Sequence, residues 1–480
     1  MKVKVGFVPT FRFRYTPWTE QMRTESLAAL AGVDGIEIVA PQIAPDDATI
    51  CAENGYTPHG VVHTLDEAEA IADYFAAQKV DAIIICPLDF GDERSVCKVA
   101  ERLRVPILLY ATKEPPAPDS PSMGRTSDSY CGNLSIASGL YRRKLPFHYA
   151  GIFFPTEPEF LKEVETFVQA AAVVKGLKNA RLGQVGVRPP TFETVGYDEA
   201  ALIQKFGQNV IYSNVADIAA AAKAYADDDP QVQAVMADIR NSVAEVTVAD
   251  DYVMMAAKLE LALKDFWETN RLSCMGVQCW PTIRSLIGIS VCATYGRLTD
   301  QGMLTACEND LLGGLSMMCN YYAALGKIAP HFIDWTIQHR ENPNWLLAWH
   351  CGNAPVSLAA DPNKTALRAR QNMSGELEIQ ENDPSAGLFQ FQVKPGEVTF
   401  CRLAEYDNEW KMLIAKGEII PSDETLAGTW SWVQVNNHAR LYRTLVEEGF
   451  IHHASMIHGD QTKALELACK YLDIKPIIIE

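Results

Sequence analysis

Residues 64–87 read TLDEAEAIADYFAAQKVDAIIICP, and their pattern decides the fold of the first third of the chain. Thr64 and Glu67 form a capping-box pair, in which side chains at the start of a helix satisfy its free N–H groups. The residues that follow have the apolar spacing of an amphipathic helix. The chain then gives DAIIICP, a short β-branched run closed by proline and apolar throughout, as suits a strand covered on both faces of a parallel sheet. Three further runs, VKVGFVP (3–9), GIEIVAP (35–41) and VPILLYA (105–111), have the same character. This alternation of strand and helix predicts an α/β architecture.

Outward from there, TKEPPAPDSPSMGRTSDS (112–129) is rich in Pro and Ser and reads as a long loop. Ligand crevices in such sheets lie at the carboxyl ends of the strands, which makes this loop a candidate wall. A second α/β series is expected from FHYAGIFFP (147–155), through a helix beginning at Thr156, to CMGVQCWP (274–281). Past about residue 330 the pattern changes: NWLLAWHC, GLFQFQVK, EVTFCRLAEYD and WKMLIAKGEII are strand-like and separated by turn residues. They predict an antiparallel sheet or small barrel. The expected domains are 1–150, 151–328 and 329–480.

The formal net charge of −18 argues against nucleic acid or anionic membrane as the main partner, since both repel an acidic surface. No apolar run approaches the roughly 20 residues that span a bilayer. The start, MKVKVGFVPTFRFRYT, has charges inside its apolar stretch and no small-residue cleavage site, unlike a signal peptide. The twelve cysteines are scattered, with no C-x-x-C pair, as in buried, reduced thiols of a cytoplasmic protein. A phosphate-binding G-x-x-x-x-G-K-[ST] loop, a G-x-G-x-x-G after the first strand and a G-x-S-x-G elbow are all missing, which points the chemistry toward carboxylates and histidines.

TACENDLLGGLSM (305–317) places Glu308 and Asp310 where an apolar, Gly-rich helix begins. Asp310 there serves either as a helix cap, worth roughly 1 kcal/mol, or as an anionic ligand. Gly313 and Gly314 suggest close approach of another group. GFIHHASMIHGDQTKALELACKYLDI (449–474) carries His452, His453, His458 and Asp460, and a strand there sends His452 and His453 to opposite faces. NWLLAWHCGNAP (344–355) ends an aromatic strand in His350, followed by Asn353, and GVQCWP (276–281) offers Gln278 and Trp280. Carboxylates and a histidine converging on one point would hold a divalent ion such as Mn²⁺ or Mg²⁺, and a carboxylate beside it would move a proton between adjacent carbons. That is the chemistry of aldose–ketose isomerisation.

These segments resemble the L-fucose isomerase and L-arabinose isomerase family, in its fucose-isomerase-like branch. TACENDLLGGLSM is similar to the family's T-E-N-D segment, whose Asp is a metal ligand, and Asp310 takes that position. The end of the chain is similar to the family's G-x-H-H segment, with His453 the preferred ligand and His452 the alternative. FVPTFRFR (7–14) is similar to the place where the family sends an arginine to a neighbouring subunit's sugar, which implies that role for Arg12. The resemblance implies two Rossmann-like, doubly wound α/β domains followed by a β-rich, antiparallel barrel-like C-terminal domain. It also implies a homo-oligomer (hexamer or tetramer) with active sites between subunits. One departure stands out: the family's further Glu, some two dozen residues before the Asp, has no counterpart in SLIGISVCATYGRLTDQGMLTA (285–306), whose sole carboxylate is Asp300.

The expectation is a cytoplasmic, metal-dependent aldose–ketose isomerase acting on a monosaccharide, plain or substituted, through an enediol. The cofactor would be Mn²⁺ or another divalent cation such as Mg²⁺ or Co²⁺. Asp310, His453 and His350 would bind the ion, Glu308 and Asp310 would transfer the proton, and Arg12, Gln278, Trp280 and Asn353 would orient hydroxyls. The alternatives are an epimerase or C–C lyase on the same scaffold, or a non-catalytic sugar-binding protein. A phosphate or sulfonate on the substrate would call for an arginine such as Arg188 or Arg284 in the pocket.

Overall fold

A computed structural model describes residues 1–116, 126–368 and 387–480. Half of the expected loop at 112–129, namely 117–125, lies outside the described residues. The chain is mixed α/β with parallel sheets and a β-rich C-terminal sheet, and it forms two compact units, Met1–Lys175 and Gly176–Glu480. No helix among the described residues is long and apolar enough to cross a membrane.

In the first unit the capping box forms as read. Thr64 Oγ1 accepts from Glu67 N at 3.2 Å and Glu67 Oε2 accepts from Thr64 N at 3.0 Å, opening the helix Leu65–Ala77. The strand it feeds, Ala82–Pro87, is buried at every residue and occupies the centre of a five-stranded parallel sheet. Each of its three isoleucines contributes roughly 1.5–3 kcal/mol by leaving water. The sheet order is Ile36–Val39, Val3–Thr10, Ala82–Pro87, Ile107–Thr112, His148–Phe153. The last strand corrects an expectation. Instead of opening a second α/β series, His148–Phe153 closes this sheet beside Ile107–Thr112. It is only half-buried, as an edge strand is, and strand pattern alone does not say which sheet an edge joins.

The second unit contains a four-stranded parallel sheet, ordered Thr305–Ala306, Cys274–Val277, Arg181–Val185, Asn209–Ser213. It also contains a ten-stranded sheet, and in it Thr429–Gln434, Trp345–His350, His331–Gln338, His453–His458, Gly396–Tyr406 and Glu409–Ile420 are successive antiparallel neighbours. A further pairing of Glu409–Ile420 with Thr429–Gln434 joins these six into a closed ring. The long hairpin in it turns on Asp407 and Asn408, both at positive φ (53° and 64°), the conformation a two-residue hairpin turn demands. Helix Leu311–Ala323 is apolar on all sides and buried from Leu311 to Asn320, because it packs on strands of both sheets. Its amino terminus therefore lies where the parallel sheet meets the ring.

Candidate active site

The turn that starts that helix is under backbone strain. Glu308 (φ 58°, ψ 21°) and Asn309 (φ 59°) both sit in the left-handed region, which costs a non-glycine residue roughly 1–2 kcal/mol each. The surroundings hold them there. Asn309 Nδ2 donates to Gly186 O at 3.2 Å, and the absent side chain of Gly276 admits the turn: a Cβ there would lie 3.0 Å from Asn309 Oδ1 and 3.1 Å from its carbonyl carbon. The result aims Glu308 back over the strand ends while Asp310 caps the helix, accepting from Gly313 N at 2.8 Å.

Asp310 is fully buried and both its oxygens are engaged. Arg402 Nη1 donates to Oδ2 and Arg402 Nη2 to Oδ1, while His453 Nδ1 donates to Oδ2 at 2.9 Å. Burial opposes its ionisation, but Arg402 and His453 outweigh that and hold it well below the usual carboxylate range. Gly313 makes room for the pair, since a Cβ would lie 2.6 Å from Asp310 Oδ2 and 2.9 Å from Arg402 Nη1. Capping and ion pairing thus use every lone pair that Asp310 offers.

On the other side of the His453 ring, Nε2 lies 2.7 Å from Glu308 Oε2 and 3.6 Å from Asp334 Oδ1. The Glu308 contact lies off the axis of a hydrogen bond, so this buried nitrogen and Asp334 Oδ1 both lack a hydrogen-bond partner among the described residues. Burial alone would depress the His453 pKa, but Asp310 and Glu308 together raise it to about 9. Burial would likewise raise that of Glu308, and the His453 ring beside it brings it down to about 2. Glu308 Oε1 accepts from Trp280 Nε1 at 3.2 Å. His350 is buried, its Nδ1 accepts the backbone N–H of Cys351 at 2.8 Å, and burial lowers its pKa. The neutral ring therefore carries its proton on Nε2, which has no acceptor among the described residues.

A small cavity of about 80 Å³ opens over this group, lined among others by Trp280, Arg284, Val291, Glu308, His350 and Leu388. Of the residues singled out in the sequence, Glu308, His350, Trp280 and Arg284 meet here, with His453 behind them. His452 packs on His453 at 4.1 Å between centroids but faces solvent. Gln278 and Asn353 are buried and are not among the lining residues. Arg188 is exposed. Arg12 belongs to the first unit, where it pairs with Glu93 at 3.2 Å and stacks 3.7 Å above the Phe90 ring. Sequence reasoning missed Arg402 and Asp334. The signal for Arg402 was present, since a lone arginine inside the apolar run VTFCRLA needs a buried partner.

The donor set fits a divalent cation. Glu308, His350 and His453 each offer an atom within 4.8 Å of the others, as do Asp334, His452 and His453. The decisive observation is His453 Nε2, a buried atom without a proper partner and with carboxylate oxygens crowding toward it. Mixed carboxylate and imidazole donors suit borderline ions such as Mn²⁺. Asp310 on the far nitrogen fixes the ring's tautomer and leaves Nε2 free to ligate. The set differs from the expected one, because Asp310 faces the ring from behind and Glu308 stands in front of it.

Comparison with known proteins bears on this geometry. Residues 32–178 match the model of the fucose/sulfoquinovose isomerase N-terminal domain, and residues 348–480 match that of the L-fucose isomerase C-terminal domain. A sulfoquinovose isomerase from Alkalicoccus urumqiensis is 26% identical over 404 residues, covering 83% of this chain and 86% of that one. One from Priestia aryabhattai is 24% identical over 411 residues, covering 85% and 87%. One from Clostridium sp. is 24% identical over 413 residues, covering 84% and 86%.

Proposed function

The chain belongs to the fucose isomerase family, in its fucose/sulfoquinovose-isomerase-like branch, and from that premise we propose that it is a metal-dependent aldose–ketose isomerase acting on a substituted monosaccharide. The observation that carries this reading is the convergence of Glu308 Oε2, at 2.7 Å, on the buried Nε2 of His453, which no hydrogen bond engages among the described residues, at the edge of a cavity. The names of the curated relatives support a substituted sugar as the substrate.

In this reading His453 Nε2 and Glu308 hold the ion, with Asp334 nearest to complete the set, while His350, expected as a ligand, keeps its proton on Nε2 and does not ligate. Bound there, a divalent cation would polarise the substrate carbonyl and offset negative charge on its oxygens. Glu308, ionised at neutral pH, takes the proton from C2 and returns it to C1 through the enediol. Asp310 is a positioning residue, which orients His453 and is itself anchored by Arg402. His350 Nε2–H is aimed to donate to a sugar oxygen, a role its Cys351 contact favours over ligation. Trp280 steadies Glu308 and walls the cavity. Arg12 would serve a neighbouring copy in a homo-oligomer, while Gln278 and Asn353 would shape the pocket from behind. The Rossmann-like, doubly wound character of the two parallel sheets belongs to the same reading.

The test is direct. Purified protein loaded with Mn²⁺, Mg²⁺ or Co²⁺ is mixed with a panel of neutral and anionic aldoses in D₂O and followed by NMR. Ketose formation, with exchange or transfer of one C–H and no change in carbon count, is expected. An epimer, a shorter product, or no turnover with metal demonstrably bound would overturn the proposal.

A further inference from the structure

A strand would send His452 and His453 to opposite faces, but the structure brings their rings together. The strand begins only at His453, and His452 lies in the bend before it, its carbonyl accepting from Trp335 N at 2.8 Å. The two rings are 4.1 Å apart between centroids and tilted by 53°, and Phe192 meets the His452 ring edge-on at 5.3 Å. His453 Nε2 therefore stands between two sets of donors. Glu308, which lines the cavity, has Oε2 at 2.7 Å; His452 and Asp334 lie outside that lining, with Asp334 Oδ1 3.6 Å from the same nitrogen. Ligand atoms of Asp334, His452 and His453 all lie within 4.8 Å of one another. Donors about 2.1 Å from one ion stand up to roughly 4.2 Å apart, so small side-chain rotations close this set on a cation. Asp334 Oδ1 and His453 Nε2 are buried atoms that no hydrogen bond engages among the described residues. Exposure falls along the line: His452 is exposed, the Asp334 side chain is 23% exposed, that of Glu308 13% and that of His453 0%.

We propose that His452, with Asp334 and His453, forms an outer site that captures a divalent cation from water and hands it to the catalytic position, where Glu308 takes the place of His452. The inference rests on the metal-dependent reading for the kind of ion, and on the placement of His452 for its route. Among the described residues Glu308 and His452 belong to no common ligand set within 4.8 Å, so the two positions are distinct while sharing His453 and Asp334. Shared ligands make the transfer an exchange of one donor rather than a release into water. Stripping every water from a divalent ion at a buried nitrogen in one step is costly, and replacing the waters stepwise avoids that barrier. Asp334 supplies negative charge that draws the cation, and imidazole beside carboxylate suits Mn²⁺ and Co²⁺. His452 is then a loading residue. It speeds capture and release alike and leaves the final affinity unchanged, because it is absent from the final set.

Stopped-flow absorbance follows Co²⁺ binding to the metal-free protein, and its release to a chelator, in wild type, His452→Ala and His452→Asn. Neither measurement requires turnover. In His452→Ala both rates should fall by roughly tenfold, the scale of losing a residue at the edge of a metal site, while Kd stays unchanged. His452→Asn keeps an oxygen donor at the same place without adding charge, and should recover part of both rates. A merely structural role for the exposed ring would change Kd and the melting temperature of the metal-free protein, without moving the two rates in step. That result, or unchanged rates, would overturn the proposal. So would a weaker Kd with faster release, which would make His452 an ordinary ligand of the final set. If Co²⁺ binds but no aldose turns over, the isomerase reading fails while the rates still decide His452. If the wild type binds no Co²⁺, the metal-dependent reading fails and the outer site with it.

Discussion

Glu308 and Asp310 are two residues apart and do different work. Asp310 neutralises Arg402 in a place where neither reaches water, so Asp310→Asn strands a guanidinium and should cost about 3–5 kcal/mol in stability. Glu308 is held in a left-handed turn and faces the cavity, its carboxylate 13% exposed. Glu308→Gln keeps the shape but removes the charge that faces the His453 ring at the cavity, so it should lower the unfolding midpoint, by clearly less than Asp310→Asn does. The same change should weaken Mn²⁺ binding by about tenfold or more and lower turnover by about 10² or more. Thermal unfolding, metal titration and a rate assay on the two variants check this. Equal loss of stability in both would mean that Glu308 is structural.

At the scale of the element, helix Leu311–Ala323 carries two adjacent glycines whose tolerances should differ. In an exposed helix Gly→Ala gains about 1 kcal/mol. At Gly313 a Cβ would lie 2.5 Å from Phe332 Cε2 as well as against Asp310 and Arg402, whereas at Gly314 the nearest atom, Cys274 Sγ, is 3.2 Å away. Gly313→Ala should therefore destabilise by about 1–3 kcal/mol as an overpacked core does, and Gly314→Ala by clearly less. Denaturant unfolding of the two variants measures the difference. Gly313 is thus the residue that lets a helix cap double as the anchor of a distant histidine.

For the whole molecule, acid stability follows from buried pairs that join separate helices. Glu260, on helix Asp250–Asn270, is 1% exposed and meets Arg297 Nε at 2.7 Å and Lys264 Nζ at 2.9 Å, while Arg297 also reaches Asp238 at 2.6 Å. Burial pushes the Glu260 carboxyl up, but Arg297 and Lys264 outweigh it and bring it below its ordinary value of 4.5. The unfolded chain therefore binds this proton more readily. The stabilisation is fully present above about pH 4.5 and is lost as pH falls through the lower folded value. Glu260→Gln should lower the unfolding temperature at pH 7 and flatten its decline between about pH 5 and 3, as a pH series of melts would record. A variant whose acid limb parallels the wild type would show that other carboxylates carry it.

The sequence by itself determined the local elements: the Thr64–Glu67 cap, the strand Ala82–Pro87, the β-rich C-terminal segment, and the two motifs that carry the family resemblance. These depend on propensity, capping and periodicity within about 20 residues, which a single chain displays openly. Only the tertiary structure decided that His148–Phe153 joins the first sheet, that Glu308 turns into the left-handed region, and that Asp310 spends its lone pairs on Arg402 and His453. Arg402 and His453 lie 92 and 143 residues away from Asp310, on neighbours of one strand ring. Which oxygen is left free for a ligand is set by the register of those strands, and register is fixed by the packing of the whole ring.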